Sequence, residues 1–271
     1  MIIGKAISPF SIKRRNGGGG GGNDADAQAF ITASGISGTN ATAINTLVVN
    51  LKSASIWTKM KALYPMVGGT ATSCKFNLID SRDLDAAFRL VFSGGGTFSS
   101  AGYQPNGVNA FANTNFAPSV NSSSINNFHS SYYSRTNVNL TQVDVGCGPS
   151  DLQGILLEIR TANVTYIRIN APTTSSYADT DSLGFYLQSR LLGNQQKGYK
   201  NSTLKITGAV NSNTTPGQNY YIGAYNSNGL AAYPSSKQCA FASIGDGLTD
   251  AEALAFYNAV QTFNTTLARQ V

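Results

Sequence analysis

Charge is scarce in this chain. Acidic and basic residues together make up 12% of its 271 positions, about half the share of an average soluble domain. Asn, Ser, Thr and Gly fill the gap. That profile disfavours helix bundles and suits many short strands joined by polar turns. Histidine is rarer still, with His129 alone. A Ser-His-Asp triad would need it beside both a nucleophile and a carboxylate. Its neighbours, Phe128 and Ser130 to Tyr133, give a strand context without a G-x-S-x-G elbow. A structural hydrogen bond is the expected role. Glutamate occurs twice, at Glu158 and Glu252. Hydrolysis of a glycosidic bond needs two placed carboxyl groups, and the clustered E-x-D-x-x-E pattern of sandwich-fold glucanases is absent.

Cysteine is limited to Cys74, Cys147 and Cys239. None forms a C-x-x-C pair, so they are expected as small buried side chains rather than metal ligands. An odd count leaves at least one unpaired, which fits a reducing compartment. No apolar run is long enough to span a bilayer, and Met1-Ile2-Ile3-Gly4-Lys5 lacks the apolar core of a signal peptide. Six consecutive glycines, Gly17 to Gly22, are not followed by the Lys-Ser/Thr of a phosphate loop. No cofactor is expected.

The formal charge of +6 is uneven. Lys5, Lys13, Arg14 and Arg15 give the first 22 residues +4 without one acid, so the rest is almost neutral. A nucleic-acid face would need a basic patch with interleaved aromatics, and none is seen beyond this arm. Ile2, Ile3, Ile7, Phe10 and Ile12 make residues 1–16 too apolar for a typical disordered tail. The arm is either a solvated basic tail or a docking peptide, composed of those five apolar residues with Lys13, Arg14 and Arg15. The glycine run behind it would span about 13 Å as a free coil and serve as a tether.

Residues 23–64 carry helical signals. Asn23 or Asp24 can cap a first helix, and Gly35 and Gly38 break it. Ile44, Leu47, Val48 and Leu51 then follow i, i+3, i+4, i+7 spacing, and Trp57, Met60, Leu63 and Tyr64 extend the apolar coverage to Pro65. From 66 to 247 short strand candidates alternate with turn signals. They include 87–92, 128–135, 142–146, 155–160, 166–169 (with Arg168 outward), 183–190 and 204–206. At 249–252, Thr-Asp-Ala-Glu is a capping box that opens a last helix.

Four patches have chemical interest. Asp179-Thr180-Asp181-Ser182 offers two carboxylates and two hydroxyls in a turn, a set suited to calcium or simply to solvent. Asp80, Asp83 and Asp85 lie near Arg82 and Arg89 and can pair with them. Tyr103, Tyr132, Tyr133, Tyr177, Tyr186, Tyr225 and Tyr233 neighbour Asn, Ser or Gly. Their flat faces and polar tips suit sugar rings, although Tyr is also a good strand former. Glu158 alternates with Arg160 and is expected exposed or ion-paired.

The order Tyr220-Tyr221-Ile222-Gly223-Ala224-Tyr225-Asn226, then Cys239 to Leu248, then Thr249-Asp250-Ala251-Glu252 resembles the end of concanavalin A-like, laminin-G-like domains. Gly198 to Ile206 resembles that family's hairpin, with Ser202 where its turn usually has Gly. Ile56 to Pro65, Phe76-Asn77-Leu78, Asp85 to Leu90 and Pro105-Asn106-Gly107 resemble structural proteins of tailed bacteriophages. The implied fold is mainly β: an antiparallel β-sandwich of the concanavalin A-like jelly-roll kind, with an N-terminal helical segment and a short C-terminal helix. Its parts would be an arm and tether (1–22), a helical segment (23–64) and the sandwich (65–271). The implied function is that of a non-catalytic virion protein, assembled in the host cytoplasm. It would be anchored to other virion proteins through residues 1–22, self-associated, and presented to a cell-surface glycan. A tail or capsid building block without external ligand and a divergent glycan hydrolase are the alternatives. Laminin-G-like domains often bind one calcium ion, which on this chain points to Asp179 and Asp181.

Overall fold

A computed structural model describes residues 22–150 and 154–271. The apolar and basic arm, Ile2 to Arg15, lies outside the described residues. The helices are α1 (Ala25–Ser34), α2 (Gly38–Ser53), α3 (Ala71–Cys74), α4 (Pro118–Asn121) and α5 (Asp250–Thr266). The strands are β1 (Met60–Tyr64), β2 (Val91–Ser93), β3 (Thr97–Ser99), β4 (Gly102–Gln104), β5 (Phe111–Asn113), β6 (Phe128–Ser134), β7 (Val145–Gly148) and β8 (Ile155–Thr161). They continue with β9 (Val164–Ile169), β10 (Ser175–Ala178), β11 (Gly184–Leu192), β12 (Gln195–Lys200), β13 (Thr203–Gly208), β14 (Tyr221–Ile222), β15 (Tyr225–Ser227), β16 (Leu230–Ala232) and β17 (Cys239–Gly245). Among the described residues no helix is long and apolar enough to cross a membrane.

Two sheets form a sandwich. The first runs β13-β12-β11-β6-β17-β4-β3, with β1 also pairing β17. The second runs β10-β9-β8-β7-β14-β5-β2, with β15 and β16 attached. The named strands pair antiparallel except β15, which lies parallel to β7. Between the sheets, Phe128, Tyr132, Ile155, Leu157, Ile167, Tyr186, Tyr220 and Ile244 form one buried cluster.

The central strands of the first sheet, β11, β6 and β17, are buried on both sides. Their alternate residues Tyr133, Phe185, Leu187 and Phe241 point away from the sandwich, into a second cluster with helical Phe30, Ile44, Leu47, Leu51, Phe256, Val260 and Phe263. Strand period 2 explains this division: neighbours Tyr132 and Tyr133 enter different cores. The molecule is therefore three layers: helices α1, α2 and α5, then the first sheet, then the second sheet. Burying Phe256 alone contributes roughly 3 kcal/mol, the upper end for a large apolar side chain.

Local signals explain the helix ends. Asp24 accepts from Asp26 N at 3.0 Å, and Gly35 closes α1 at φ 69°. Thr249 Oγ1 accepts from Glu252 N at 3.3 Å, while Thr249 N donates to Glu252 Oε2 at 2.8 Å. The α2 stripe of Ile44, Leu47, Val48 and Leu51 is fully buried, as its spacing predicts. Met60 to Tyr64 depart from expectation. Apolar coverage there suggested more helix, but α2 ends at Ser53 and these residues pair with Ala242 to Gly245 as β1. A partner about 180 residues away decided the conformation, which no local pattern can reveal. Similarly, of residues 87–92 only Val91 and Phe92 are in a strand. Phe88 sits at φ 58° after a short 3-10 turn, Asp85–Ala87.

Candidate functional site

The helices cover the outer side of the first sheet, which leaves the outer side of the second sheet for a ligand. A pocket of about 210 Å³ lies there, lined by Thr141, Val143, Leu156, Glu158, Arg168, Tyr225 and Tyr233. Strands β8 and β9 build its charged part. Leu156 faces Arg168 and Glu158 faces Tyr166 across the ladder. Period 2 therefore puts Leu156, Glu158, Tyr166 and Arg168 on one face, while Ile155, Leu157, Ile167 and Ile169 fill the sandwich.

The floor is apolar: Val143, Leu156 and Tyr225 form a small buried cluster of their own. Tyr225 lies over Gly146, where an added Cβ would come within 2.9 Å of its ring. Its hydroxyl donates to Ser150 O at 2.7 Å. Tyr233 is the wall, held at φ 50° and 42% exposed. Burial pushes the Glu158 carboxyl above its usual range, and a hydrogen bond from the Thr161 hydroxyl opposes the shift. Thus Arg168, expected outward, points outward into this pocket and is nearly buried there. Glu158, expected exposed or ion-paired, is half-buried beside it.

The other sequence candidates fall elsewhere. His129 is fully buried on β6. Its Nδ1 is 2.6 Å from Asp246 O and its Nε2 is 3.1 Å from Ser243 Oγ. A carbonyl only accepts, so Nδ1 carries the proton and Ser243 donates to Nε2. Burial lowers its pKa to about 4, which keeps the imidazole neutral. That is a structural hydrogen bond, as expected from its strand context.

Asp179 and Asp181 are brought together by Lys200, whose Nζ lies 2.7 Å from Asp179 Oδ1 and 3.1 Å from Asp181 Oδ1. Thr165 and Tyr186 hydroxyls each donate to Asp179 Oδ2 at 2.8 Å. The lysine ammonium thus stands among the oxygens a cation would use. Among the described residues no group of three or more His, Cys, Asp or Glu side chains could hold a metal ion.

Asp80 pairs with Arg82, while Asp83 and Asp85 pair with Arg89. The three cysteines are free and buried. Of the seven tyrosines considered for sugars, Tyr103, Tyr132, Tyr133, Tyr177 and Tyr186 are buried in strands; only Tyr225 and Tyr233 line the pocket. Thr141 carried no signal in the sequence, and Val143 and Leu156 were legible only as strand residues.

No protein-family model matches the chain, and no match is found among curated proteins. Solved structures do resemble it. A Trypanosoma rangeli sialidase in complex with sialic acid superposes with a TM-score of 0.52 at 12% identity, over 79% of this chain and 38% of that one. The Ruminococcus gnavus IT-sialidase CBM40 gives 0.41 at 18% identity, over 56% of this chain and 95% of that one. The binding domain of botulinum neurotoxin serotype D gives 0.47 at 10% identity, over 75% and 52%. At these identities the likeness concerns the fold.

Proposed function

We propose that the chain is a non-catalytic carbohydrate-binding protein that takes one sugar ring in the pocket on the outer side of the second sheet. The observation that carries this reading is the pocket's make-up. It joins an apolar floor, a tyrosine wall and a guanidinium beside a carboxyl group, on the sheet face that the helices leave bare. Sugar rings present apolar C–H faces to aromatics and hydroxyls to paired donors and acceptors. The volume is below the roughly 300 Å³ at which drug-sized ligand sites begin, which suits a single ring. One carboxyl group, Glu158, lines it, whereas glycoside hydrolysis uses two.

The proposal extends to location. The resemblance to tailed-bacteriophage structural proteins and the concentration of basic and apolar residues in positions 1–22 support a virion protein. The arm would dock to other virion components and the glycine run would tether the sandwich. A one-ring site binds weakly, so several copies on one particle would raise avidity. Deleting residues 1–16 should leave the sandwich folded and abolish incorporation into particles; normal incorporation would retire the docking role.

Titration with neutral and acidic monosaccharides, followed by NMR, tests the binding site. Chemical-shift changes should centre on Tyr225, Tyr233 and Arg168, and Tyr233→Ala should remove them. Shifts confined to another face would defeat the assignment. A reducing-end assay on bacterial polysaccharides addresses the hydrolase alternative: turnover lost in Glu158→Gln would replace this reading with an enzyme.

A further inference from the structure

Next to the pocket lies a feature that sugar binding does not use. Lys237 and Asp144 are both fully buried, with Lys237 Nζ 3.5 Å from Asp144 Oδ2. The ammonium makes no hydrogen bond among the described residues. Arg190 and Arg269, two other buried cations, contrast with it. Arg190 donates to Ile169 O, Leu192 O, Gly193 O and Val210 O at 2.9–3.1 Å. Arg269 donates to Pro65 O, Met66 O, Ser100 O, Ala240 O and Asn264 Oδ1 at 2.6–3.3 Å. A buried lysine has three donors to satisfy, and a buried ion pair offsets its desolvation only when such hydrogen bonds are made. Lys237 meets neither condition. A neutral amide between the same two side chains would remove both charges.

The surroundings have the parts for that reaction. Asp144 Oδ2 accepts from Ile159 N at 2.9 Å, and Ser235 Oγ donates to Oδ1 at 2.7 Å. Burial raises the Asp144 carboxyl above its usual range, against the opposing pull of Lys237. Glu158 directly precedes Ile159, whose N–H donates to Asp144 Oδ2, and it lines the same pocket as Val143, the residue before Asp144.

We propose that Lys237 and Asp144 form an intramolecular isopeptide bond, with Glu158 as the proton carrier. Lys237 Nζ passes one proton through Glu158 to Asp144 Oδ1, and the neutral amine then attacks Cγ of the protonated Asp144. The Ile159 N–H holds Oδ2 as negative charge develops there. Glu158 then moves a second proton from Nζ to Oδ1, the Cγ–Oδ1 bond breaks, one water leaves and the carbonyl re-forms at Oδ2. Ammonium plus carboxylate thus become amide plus water, with no oxidant or further reactant. Asp144 directly precedes β7 of the second sheet, and Lys237 lies two residues before β17 of the first. The bond would therefore staple the two sheets together, independently of any sugar.

Intact-mass measurement of the purified full chain tests this. The expected mass is lower than that of the sequence by one water, and digestion should yield the Asp144 peptide joined to the Lys237 peptide. Folded protein that keeps the full sequence mass after prolonged incubation would overturn the proposal. Lys237→Arg and Asp144→Ala should each keep the full mass, and a missing water in either would overturn the assignment. Asp144→Asn should still form the link, releasing ammonia in place of water. This variant keeps the test open if Asp144→Ala fails to fold. Glu158→Gln should accumulate the unlinked form; linkage at the wild-type rate would overturn its role as proton carrier.

Discussion

The outer sides of the two sheets make opposite use of the same strand alternation. On the first sheet, Tyr133, Phe185 and Phe241 meet α5, where Phe185 and Phe241 pack edge-on to Phe256 at 5.4 and 5.9 Å. On the second, Leu156, Glu158 and Arg168 line an open pocket. One side adds stability and the other presents chemistry. Substitutions on the covered side should cost folding energy, while those on the open side should cost binding.

The largest effect is expected at the centre of the covered side. Phe256→Ala should destabilise by about 3–5 kcal/mol in denaturant unfolding; a loss under about 1 kcal/mol would mean that the helical layer contributes little.

His129, also on that side and edge-on to Phe256 at 5.7 Å, gives a pH test. Its pKa of about 4 in the fold lies below the roughly 6.5 of an unfolded chain. Its contribution is complete above pH 6.5 and is lost as pH falls toward 4, by about 3 kcal/mol in total. Glu158 is shifted upward and acts with the opposite sign. The informative quantity is therefore the stability difference between wild type and His129→Gln, which should shrink over that range. A constant difference would contradict a buried neutral imidazole.

A smaller effect is expected at the edge of the helical layer. Thr249→Ala removes the cap of α5 and should cost about 1 kcal/mol, read as a lower melting temperature. On the open side, Tyr233→Ala should change stability by less than about 0.5 kcal/mol while abolishing sugar-induced shifts. A large stability loss there would erase the contrast between the sides.

Local chemistry was visible in the sequence. The α2 stripe, the Thr249–Glu252 box, the free buried cysteines and the structural role of His129 each depend on near neighbours or composition. Much of the sandwich was visible too, because β8, β9 and β11 carry apolar residues between turn signals. The central strands of the first sheet hid their alternation, since both of their faces are buried and Phe128 to Ser134 contain no exposed residue. That same burial explains why tyrosines chosen for their sugar-binding chemistry turned out mostly to be core. The pocket was half visible. Glu158 and Arg168 sit on neighbouring strands with readable alternation, but Tyr233, Val143 and Thr141 arrive from other segments through pairings that only the fold specifies. The Lys237–Asp144 contact is of the same kind, two residues with no local signal that meet only when the sheets close.

The placement of β17 bears on how the chain reaches this state. It lies between β6 on one side and β1 and β4 on the other. A ribosome would thus release Met60 to Tyr64 long before Cys239 to Gly245 exists to receive them. Through most of synthesis that strand has only the nearby Asn77–Leu78 segment on its backbone and lacks its partner in the sheet, and such long-range closure is slow. Its needs in the cell would be a chaperone's cover or swift translation, and its failures would be aggregates nucleated at residues 60–64.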